Sequence, residues 1–199
     1  MRTLRMWGAA AALFLLAGCA PAEAPPAQQT PAPGTPASIT ASAAPEAGEG
    51  TLCERDFGSY TVPEGWLESD VYSTDDKLFY VPEEQAEAEL PDNISVEEGS
   101  NGYAPEEHEQ FRDAILSQLM MQLRMTGDTG AALLGDGTYT DSGDILYVFT
   151  VEGSDGVITK QFYVVGDHRY CLIHLTRFSG SGEADEAASR MAASFQWSD

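Results

Sequence analysis

The sequence predicts an α+β fold in which an antiparallel sheet is flanked by helices on both faces. Strand-like stretches separated by short turns rich in Gly and Asp fill residues 131–178, which is typical of an antiparallel meander. Ile145–Val151 and Tyr170–Leu175 are apolar at successive positions, and strands of this kind are covered on both faces of a sheet. Stretches with helical spacing of apolar residues before and after the meander supply the covering helices.

The chain begins with the pattern of an export signal. Met1–Met6 carries two arginines and no acid, and Trp7–Leu16 is apolar apart from Gly8. This run is shorter than the roughly 20 apolar residues that cross a bilayer. It ends in Leu16-Ala17-Gly18-Cys19, which resembles the lipobox of bacterial lipoproteins.

The lipobox resemblance implies a lipid anchor on Cys19. In that family the chain is cut just before the cysteine, here between Gly18 and Cys19, and the thiol receives a diacylglyceryl group. A further fatty acid such as palmitate often follows on the new amino group, and stable attachment needs more than one acyl chain. The alternative is an ordinary signal cut near Ala20–Ala24, which releases a soluble protein. The residue that follows the cysteine is Ala20 rather than Asp, so the sequence shows no cue for retention in the inner membrane.

The chain then divides into a tether and one folded domain. Residues 19–50 hold seven prolines, many alanines and no aromatic residue, so they cannot bury enough apolar surface to offset the entropy of ordering. Residues 51–199 have the length and apolar content of a single domain, which needs no metal to form a core. The expected organisation is therefore a signal at 1–18, a lipidated tether at 19–50 and a domain at 51–199.

Short strands are predicted in the first part of this domain. Tyr60–Trp66 is a strand that runs into a Pro/Gly corner, and Trp66 is available to fold onto the core. Leu67–Tyr72 and Lys77–Val81 are predicted as strands around a Ser/Thr/Asp turn. Pro82–Asp92 is acidic and is expected to be a loop, and Asn93–Glu97 is expected to be a strand.

The longest helix is predicted from Pro105 to Met125, and Gly127 ends it. Its apolar residues recur every four positions, at Phe111, Ile115, Leu119 and Leu123. The meander follows as four strands. Their expected ranges are Ala131–Tyr139, Ile145–Glu152, Val157–Val165 and Tyr170–Phe178. A last helix, Glu183–Ala193, has many alanines on one side, which predicts close packing against the sheet.

The charge excludes one class of function. The chain has 32 acidic and 10 basic residues, a net charge of −22, and 29 of the acids lie in residues 51–199. Such a field repels nucleic-acid phosphates, so no nucleic-acid partner is expected. The same charge favours cationic peptides or divalent ions, or serves only solubility.

Cys53 and Cys171 are the two cysteines of the mature domain. Two thiols in an exported domain form a candidate disulfide, and a bridge closing so long a loop contributes about 4–5 kcal/mol in the chain-entropy model. The alternative is two separate buried thiols that act as small hydrophobic groups. Spacing alone leaves both readings open.

The order of elements and several short motifs resemble the PsbP-like family. The matching residues are Val62-Pro63-Glu64-Gly65-Trp66, Asn93-Ile94-Ser95-Val96, Gln161-Phe162-Tyr163 and Ser194-Phe195. The resemblance covers residues 55–197 and implies an α/β/α sandwich. Members of the family act mainly as binding or assembly modules, and the family has no shared catalytic residues to carry over.

Residues with the chemistry for a reaction centre or a metal site are scattered. His108 lies among acids at a helix start, His168 in a turn, and His174 on a strand, where a hydrogen-bonded, partly buried histidine is expected. Ser179–Gly182 lacks the pattern of a nucleophile elbow. The loop Gly135–Asp144 is rich in oxygen ligands but lacks the EF-hand spacing. No catalytic residue, metal ligand or cofactor is therefore predicted.

The sequence thus predicts an extracytoplasmic bacterial protein that is anchored to the membrane by lipid. Its domain is expected to be a non-enzymatic binding or assembly module for an unidentified envelope protein or peptide. Two alternatives are an envelope hydrolase that uses a carboxylate pair and a calcium-dependent binding module.

Overall fold

The computed structural model describes residues 50–128 and 130–198, in which ten strands and two α-helices form. The strands are β1 Gly50–Arg55, β2 Gly58–Pro63, β3 Trp66–Glu68, β4 Lys77–Pro82, β5 Asn93–Ser100, β6 Ala132–Tyr139, β7 Ile145–Glu152, β8 Ile158–Val165, β9 Arg169–Arg177 and β10 Gln196–Trp197. The helices are α1 His108–Thr126 and α2 Glu183–Ala193. The export signal, Cys19 and the tether up to residue 49 lie outside the described residues.

The strands form two antiparallel sheets. The larger sheet has seven strands in the order β3-β4-β5-β9-β8-β7-β6, and the smaller has three in the order β1-β2-β10. The meander β6–β9 pairs antiparallel throughout, with Gln161 of β8 opposite His174 of β9 and Phe149 of β7. The predicted α+β class, with antiparallel sheet and two helices, is confirmed.

Helix α1 begins and ends within one turn of the boundaries predicted from the sequence. A short 3₁₀ turn over Pro105–Glu107 precedes it, and Gly127 ends it with a positive φ of 71°, which a residue with a side chain rarely adopts. Phe111, Ile115 and Leu119 are its buried residues, so the four-residue spacing marks the face that packs on the sheet. Among the described residues, no helix is long and apolar enough to span a membrane.

The buried side chains form two clusters. One contains Phe111 of α1 together with Tyr163 of β8 and Leu172 of β9. The other contains Met191 and the alanines of α2 together with Phe162 of β8 and Ile173 of β9. Neighbouring residues on β8 and β9 therefore belong to different clusters, as expected where successive side chains of a strand point to opposite faces.

The structure differs from the sequence expectation at three strands. β1 and β10 were not predicted, because β1 is largely exposed and polar and β10 has only two residues. The strand expected over Leu67–Tyr72 ends at Glu68, because the Ser69 carbonyl accepts hydrogen bonds from the amides of Tyr72 and Ser73 and thereby forms a turn.

Candidate functional site

A groove of about 370 Å³ lies between the corner that joins β2 to β3 and one side of α2. Its walls come from Pro63–Trp66, from the segment after β4 up to Gln85, from Asp92, and from Ser181 and residues of α2 as far as Arg190. We call it the acidic groove, because Glu64, Glu84, Asp92, Glu183 and Glu186 all contribute to its lining. A concave surface with convergent polar groups beside apolar ones is the usual setting of a ligand site.

The corner wall of the acidic groove is held by backbone geometry. Gly65 has a φ of 82°, so the turn after Pro63 requires a residue without a side chain. The Gly65 carbonyl accepts a hydrogen bond of 2.8 Å from the amide of Glu83, which ties the corner to the segment after β4. Trp66 pairs with Pro82 across β3 and β4 and packs against the core cluster that contains α2. The wall is therefore formed before any ligand arrives.

Asp92 fixes the opposite wall at the connection between β9 and α2. Its carboxylate is buried, and Oδ1 accepts hydrogen bonds from the amides of Phe178 at 2.7 Å and Ser179 at 2.8 Å. Oδ2 accepts one from the Ser179 hydroxyl at 2.5 Å. Burial alone would raise the pKa of Asp92, but these hydrogen bonds outweigh it and hold the pKa below its ordinary value. Asp92 is therefore a charged structural tie rather than a proton donor.

The start of α2 is also tied to the sheet through Asp185. Its carboxylate bridges Lys160 on β8, at 2.5 Å, and Arg177 at the end of β9. The guanidinium of Arg177 also donates to the carbonyl of Ser181 at 3.1 Å. Because the half-buried carboxylate of Asp185 pairs with cations on two strands, the α2 wall is tied to the sheet at its first turn.

Most of the exposed carboxylates of the acidic groove form no ion pair within the described residues. Within residues 50–128 and 130–198, Glu64, Glu84 and Glu183 have no cationic partner, whereas Glu186 pairs with Arg190 at 3.2 Å. The three unpaired groups come from three separate segments of the chain. The groove is therefore a rigid surface of negative potential with an aromatic residue in its wall.

Both cysteines of the described domain are free, so the candidate disulfide is absent from the structure. Cys53 lies on β1 of the small sheet, where its Sγ is 3.4 Å from the hydroxyl of Tyr80. Cys171 is fully buried in the middle of the large sheet, opposite Glu98 and Val164. The two thiols belong to different sheets and act as separate small side chains, which was the alternative reading.

The two thiols should differ sharply in reactivity. Burial raises the pKa of Cys171 well above its ordinary value, whereas Cys53 is only partly buried. Alkylation requires a deprotonated thiol that the reagent can reach. Iodoacetamide should therefore label Cys53 in the native protein and Cys171 only after unfolding. Peptide mapping by mass spectrometry measures this, with urea-unfolded protein as the control. A peptide that holds the two cysteines joined by a disulfide would contradict the structure.

None of the three histidines lines the acidic groove. His108 contacts the sheet although acids surround it in sequence: its Nδ1 is 2.7 Å from the hydroxyl of Tyr147, because the first turn of α1 lies over β7. His168 is the expected turn residue, with a φ of 53°. His174 is partly buried as a residue, but its Nε2 is buried and has no hydrogen-bond partner in the described structure, contrary to the expectation.

The remaining sequence candidates have structural roles. Gly135 and Asp136 lie within β6, and the carboxylate of Asp144 accepts a hydrogen bond from Ser142 at 2.7 Å inside the following turn. The hydroxyl of Ser179 donates a hydrogen bond to Asp92 and so helps to hold the connection between β9 and α2. Among the described residues, no group of three or more His, Cys, Asp or Glu is arranged to hold a metal ion.

The comparisons with known proteins give likenesses of shape only. No protein-family model matches the chain, and no curated protein matches it. The chain is similar to the solution structure of PsbP from the cyanobacterium Synechocystis, at 14% identity and a TM-score of 0.46, over 81% of this chain and 99% of that one.

Two crystal structures are further neighbours. One is from Bacteroides thetaiotaomicron, at 12% identity and a TM-score of 0.39, over 77% of this chain and 49% of that one. The other is a Pseudomonas aeruginosa protein of unknown function described as a putative regulator, at 14% identity and a TM-score of 0.35, over 71% of this chain and 91% of that one. At these identities and TM-scores, the similarity assigns neither a family nor a function to this chain.

Proposed function

We propose that this chain is a lipid-anchored extracytoplasmic lipoprotein whose domain binds a protein or peptide of the cell envelope without catalysing a reaction. The observation that carries the binding role is the acidic groove, where Glu64, Glu84 and Glu183 surround a cavity beside Trp66. Its walls are tied by hydrogen bonds within the chain. Such preorganisation lowers the entropic cost of binding.

The location rests on the first 50 residues. Arg2 and Arg5, the apolar run and Leu16-Ala17-Gly18-Cys19 together have the order of a lipoprotein signal, and the proline-rich segment behind Cys19 is a spacer. An acidic domain on such a spacer is repelled by anionic lipid headgroups. Proteins or peptides of the envelope space therefore suit the domain better as partners than the bilayer surface does.

The architecture proposed for the domain is the PsbP-like α/β/α sandwich, with α1 and α2 on opposite faces of the large sheet. It is supported by the alternation of core membership along β8 and β9, where Phe162 packs with the cluster of α2 and Tyr163 with that of α1. The motifs Val62–Trp66 and Asn93–Val96 support the family resemblance. In this arrangement the acidic groove lies on the side of α2.

A hydrolase that uses a carboxylate pair is the second candidate, and Asp92 is poorly suited to be its general acid. A general acid that works near neutral pH needs a raised pKa. The pKa of Asp92 is lowered by its hydrogen bonds despite burial, and that of Asp128 is lowered by the amide and hydroxyl of Ser154. Both groups hold backbone segments in place.

The anchor is tested by metabolic labelling with a fatty-acid analogue in cells that express the full chain. Wild-type protein should be labelled and should sediment with membranes, whereas Cys19→Ala should lose the label completely and leave the membrane fraction. Cys53→Ala is the matched control and should be labelled like wild type, because its thiol belongs to the folded domain. Equal labelling of wild type and Cys19→Ala would reject the anchor.

A further inference from the structure

We infer that β6, the outer strand of the large sheet, is a docking edge to which an extended segment of a partner protein, without acidic residues, adds as a further strand. The inference goes beyond the acidic groove, because β6 contributes no residue to the lining of that groove. It rests on the proposed function only for the claim that the partner belongs to the cell envelope. In strand addition, main-chain hydrogen bonds supply the affinity.

β6 is a long and regular edge strand. All eight of its residues pair with β7 in one unbroken antiparallel register, and no strand of the described chain pairs with its other side. Natural edge strands are commonly protected by shortness, proline, charged side chains or bulges. The opposite edge, β3, has only three residues, whereas β6 has no proline, no bulge and one charged residue, Asp136. β6 therefore offers a template of main-chain groups to another strand.

Two hydrogen bonds show which main-chain groups of β6 face outward. The amide of Thr140, directly after β6, donates to the carbonyl of Asp144 at 2.9 Å, so Thr140 faces the chain that leads into β7. Main-chain groups of successive strand residues point to opposite sides, and odd-numbered residues of β6 therefore face away from β7. The amide of Gly137 agrees, because it donates to the carboxylate of Asp136 at 2.8 Å. The outward-facing residues are Leu133, Gly135, Gly137 and Tyr139.

The carboxylate of Asp136 stands where a carbonyl of an added strand would stand. It satisfies the outward amide of Gly137 from within the chain. The outward amides of Leu133, Gly135 and Tyr139 have no acceptor within residues 50–128 and 130–198. An oxygen atom thus reaches one outer amide of the edge already, and the others remain open to the carbonyls of a partner.

Apolar side chains flank the edge on both faces of the sheet. On the face of α1, Leu133 and Leu116 pack on the same core cluster. Met120 lies one helical turn beyond Leu116 and is 44% exposed. On the other face, Leu134 is 68% exposed. Because side chains alternate along a strand, an added strand would place one set of its side chains on each face, beside these apolar residues.

Charge argues against a second copy of this chain as the occupant. Residues 51–199 hold 29 acidic and 8 basic residues, so two copies repel each other. Antiparallel pairing of β6 with itself joins outward-facing residues, and the registers that overlap most set the two Asp136 side chains directly opposite or diagonally adjacent. Like charges in such positions destabilise a strand pair. A segment without acidic residues avoids both penalties.

The tether of the same chain is also poorly suited to the edge. Its prolines remove ladder donors, and its one eight-residue stretch without proline or charge is Ala37–Ala44. From Ala44 the chain reaches at most about 22 Å to Gly50, which pairs with Pro63, three residues before β3. β3 and β6 lie six strand spacings apart, or about 29 Å. The occupant that these observations favour is therefore a separate protein.

The inference is tested by fluorescence anisotropy with the full chain extracted in detergent. The probe is a labelled strand-forming peptide, Lys-Val-Thr-Val-Thr-Val-Thr-Lys. Because strand addition depends on main-chain groups, wild-type protein should bind this peptide. The same peptide with every internal amide N-methylated keeps its side chains and charges but has no internal main-chain donor. It should bind at least tenfold more weakly.

A pair of variants at one position isolates the outer edge. Gly135→Pro removes an outward amide and should weaken binding of the unmodified peptide about tenfold or more. Gly135→Ala is the matched control: it adds a Cβ at 3.3 Å from the ring of Phe149, as proline does, but keeps the amide. Its affinity should stay within about threefold of wild type. Thermal unfolding of both variants shows whether the domain is folded.

Hydrogen exchange resolved to single residues gives a second measurement on wild-type protein. When the peptide is added, the outward amides of Leu133, Gly135 and Tyr139 should exchange at least tenfold more slowly. The amides that already face β7 should be unchanged. This alternation distinguishes strand addition from adsorption of the peptide to the exposed side chain of Leu134, and it does not depend on any variant.

Four results would overturn the inference. They are no binding of the unmodified peptide, equal binding of the N-methylated peptide, equal loss of affinity in the two Gly135 variants, and protection without alternation along β6. Outward amides that are protected without peptide, in a protein that sediments as a dimer, would assign the edge to a second copy instead. Absence of the lipid label from wild-type protein would reject the proposed anchor but leave the peptide result standing, so the two failures are distinguishable.

Discussion

Asp92→Ala should lower the free energy of unfolding by about 3 kcal/mol, since buried donors that lose their acceptor cost about 1–3 kcal/mol each. The wild-type carboxylate accepts three hydrogen bonds, from the amides of Phe178 and Ser179 and from the Ser179 hydroxyl. Alanine leaves these donors facing a buried space that the carboxylate had filled. The connection from β9 to α2 then loses its tie, and with it one wall of the acidic groove.

Urea unfolding followed by circular dichroism measures this effect. Asp92→Asn keeps an oxygen for the two amides and should cost less than Asp92→Ala, and Ser179→Ala removes only the hydroxyl bond and should cost about 1 kcal/mol. Asp76→Ala removes an exposed carboxylate in a turn and should change stability by less than about 0.5 kcal/mol. An Asp92→Ala protein as stable as the Asp76→Ala control would show that the buried carboxylate does not hold this connection.

The elements that the sequence predicts well are those whose signals are local. The four-residue spacing of Phe111, Ile115 and Leu119, followed by Gly127, predicted α1 to within one turn at its start and one residue at its end. The short turns around Asp155-Gly156 and His168 gave the meander β6–β9. In each case the pattern and the burial that it reflects lie within one stretch of chain.

The acidic groove depends on contacts that no local pattern encodes. Asp92 and Ser179 are 87 residues apart, and each looks like an ordinary loop residue in its own segment. β10 contributes only two residues, and they pair with β2 from the opposite end of the domain sequence. The corner Pro63–Trp66 was recognisable as a turn, but its role as a groove wall depends on α2, which lies more than 100 residues later.

The burial of His174 predicts a loss of stability in mild acid. Burial, with a smaller contribution from the positive charge of Lys77, lowers the pKa of His174 to about 4 from 6.5. The unfolded chain therefore binds a proton on this residue between pH 6.5 and about 4 that the folded protein does not. Stability is fully present above pH 6.5 and falls as the pH drops through this window, by about 3 kcal/mol in all at 1.36 kcal/mol per pKa unit.

Replacing His174 isolates this contribution. His174→Leu removes the titrating ring and the unpartnered Nε2, so the part of the stability loss between pH 6.5 and 4.5 that is due to this residue should disappear. His168→Asn, a change in an exposed turn at a positive φ that asparagine tolerates, should keep the wild-type pH profile. Guanidinium unfolding at half-unit pH steps measures all three proteins.

The pH range of the stability loss distinguishes protonation of His174 from protonation of Asp92. The pKa of Asp92 lies below its ordinary value of 3.8, so its stabilising hydrogen bonds are lost only in stronger acid, as the pH falls through that lowered pKa. A loss of stability between pH 6.5 and 4.5 that disappears in His174→Leu and persists in His168→Asn therefore assigns the effect to one imidazole. The same loss in all three proteins would show that His174 is protonated in the folded sheet as readily as in the unfolded chain.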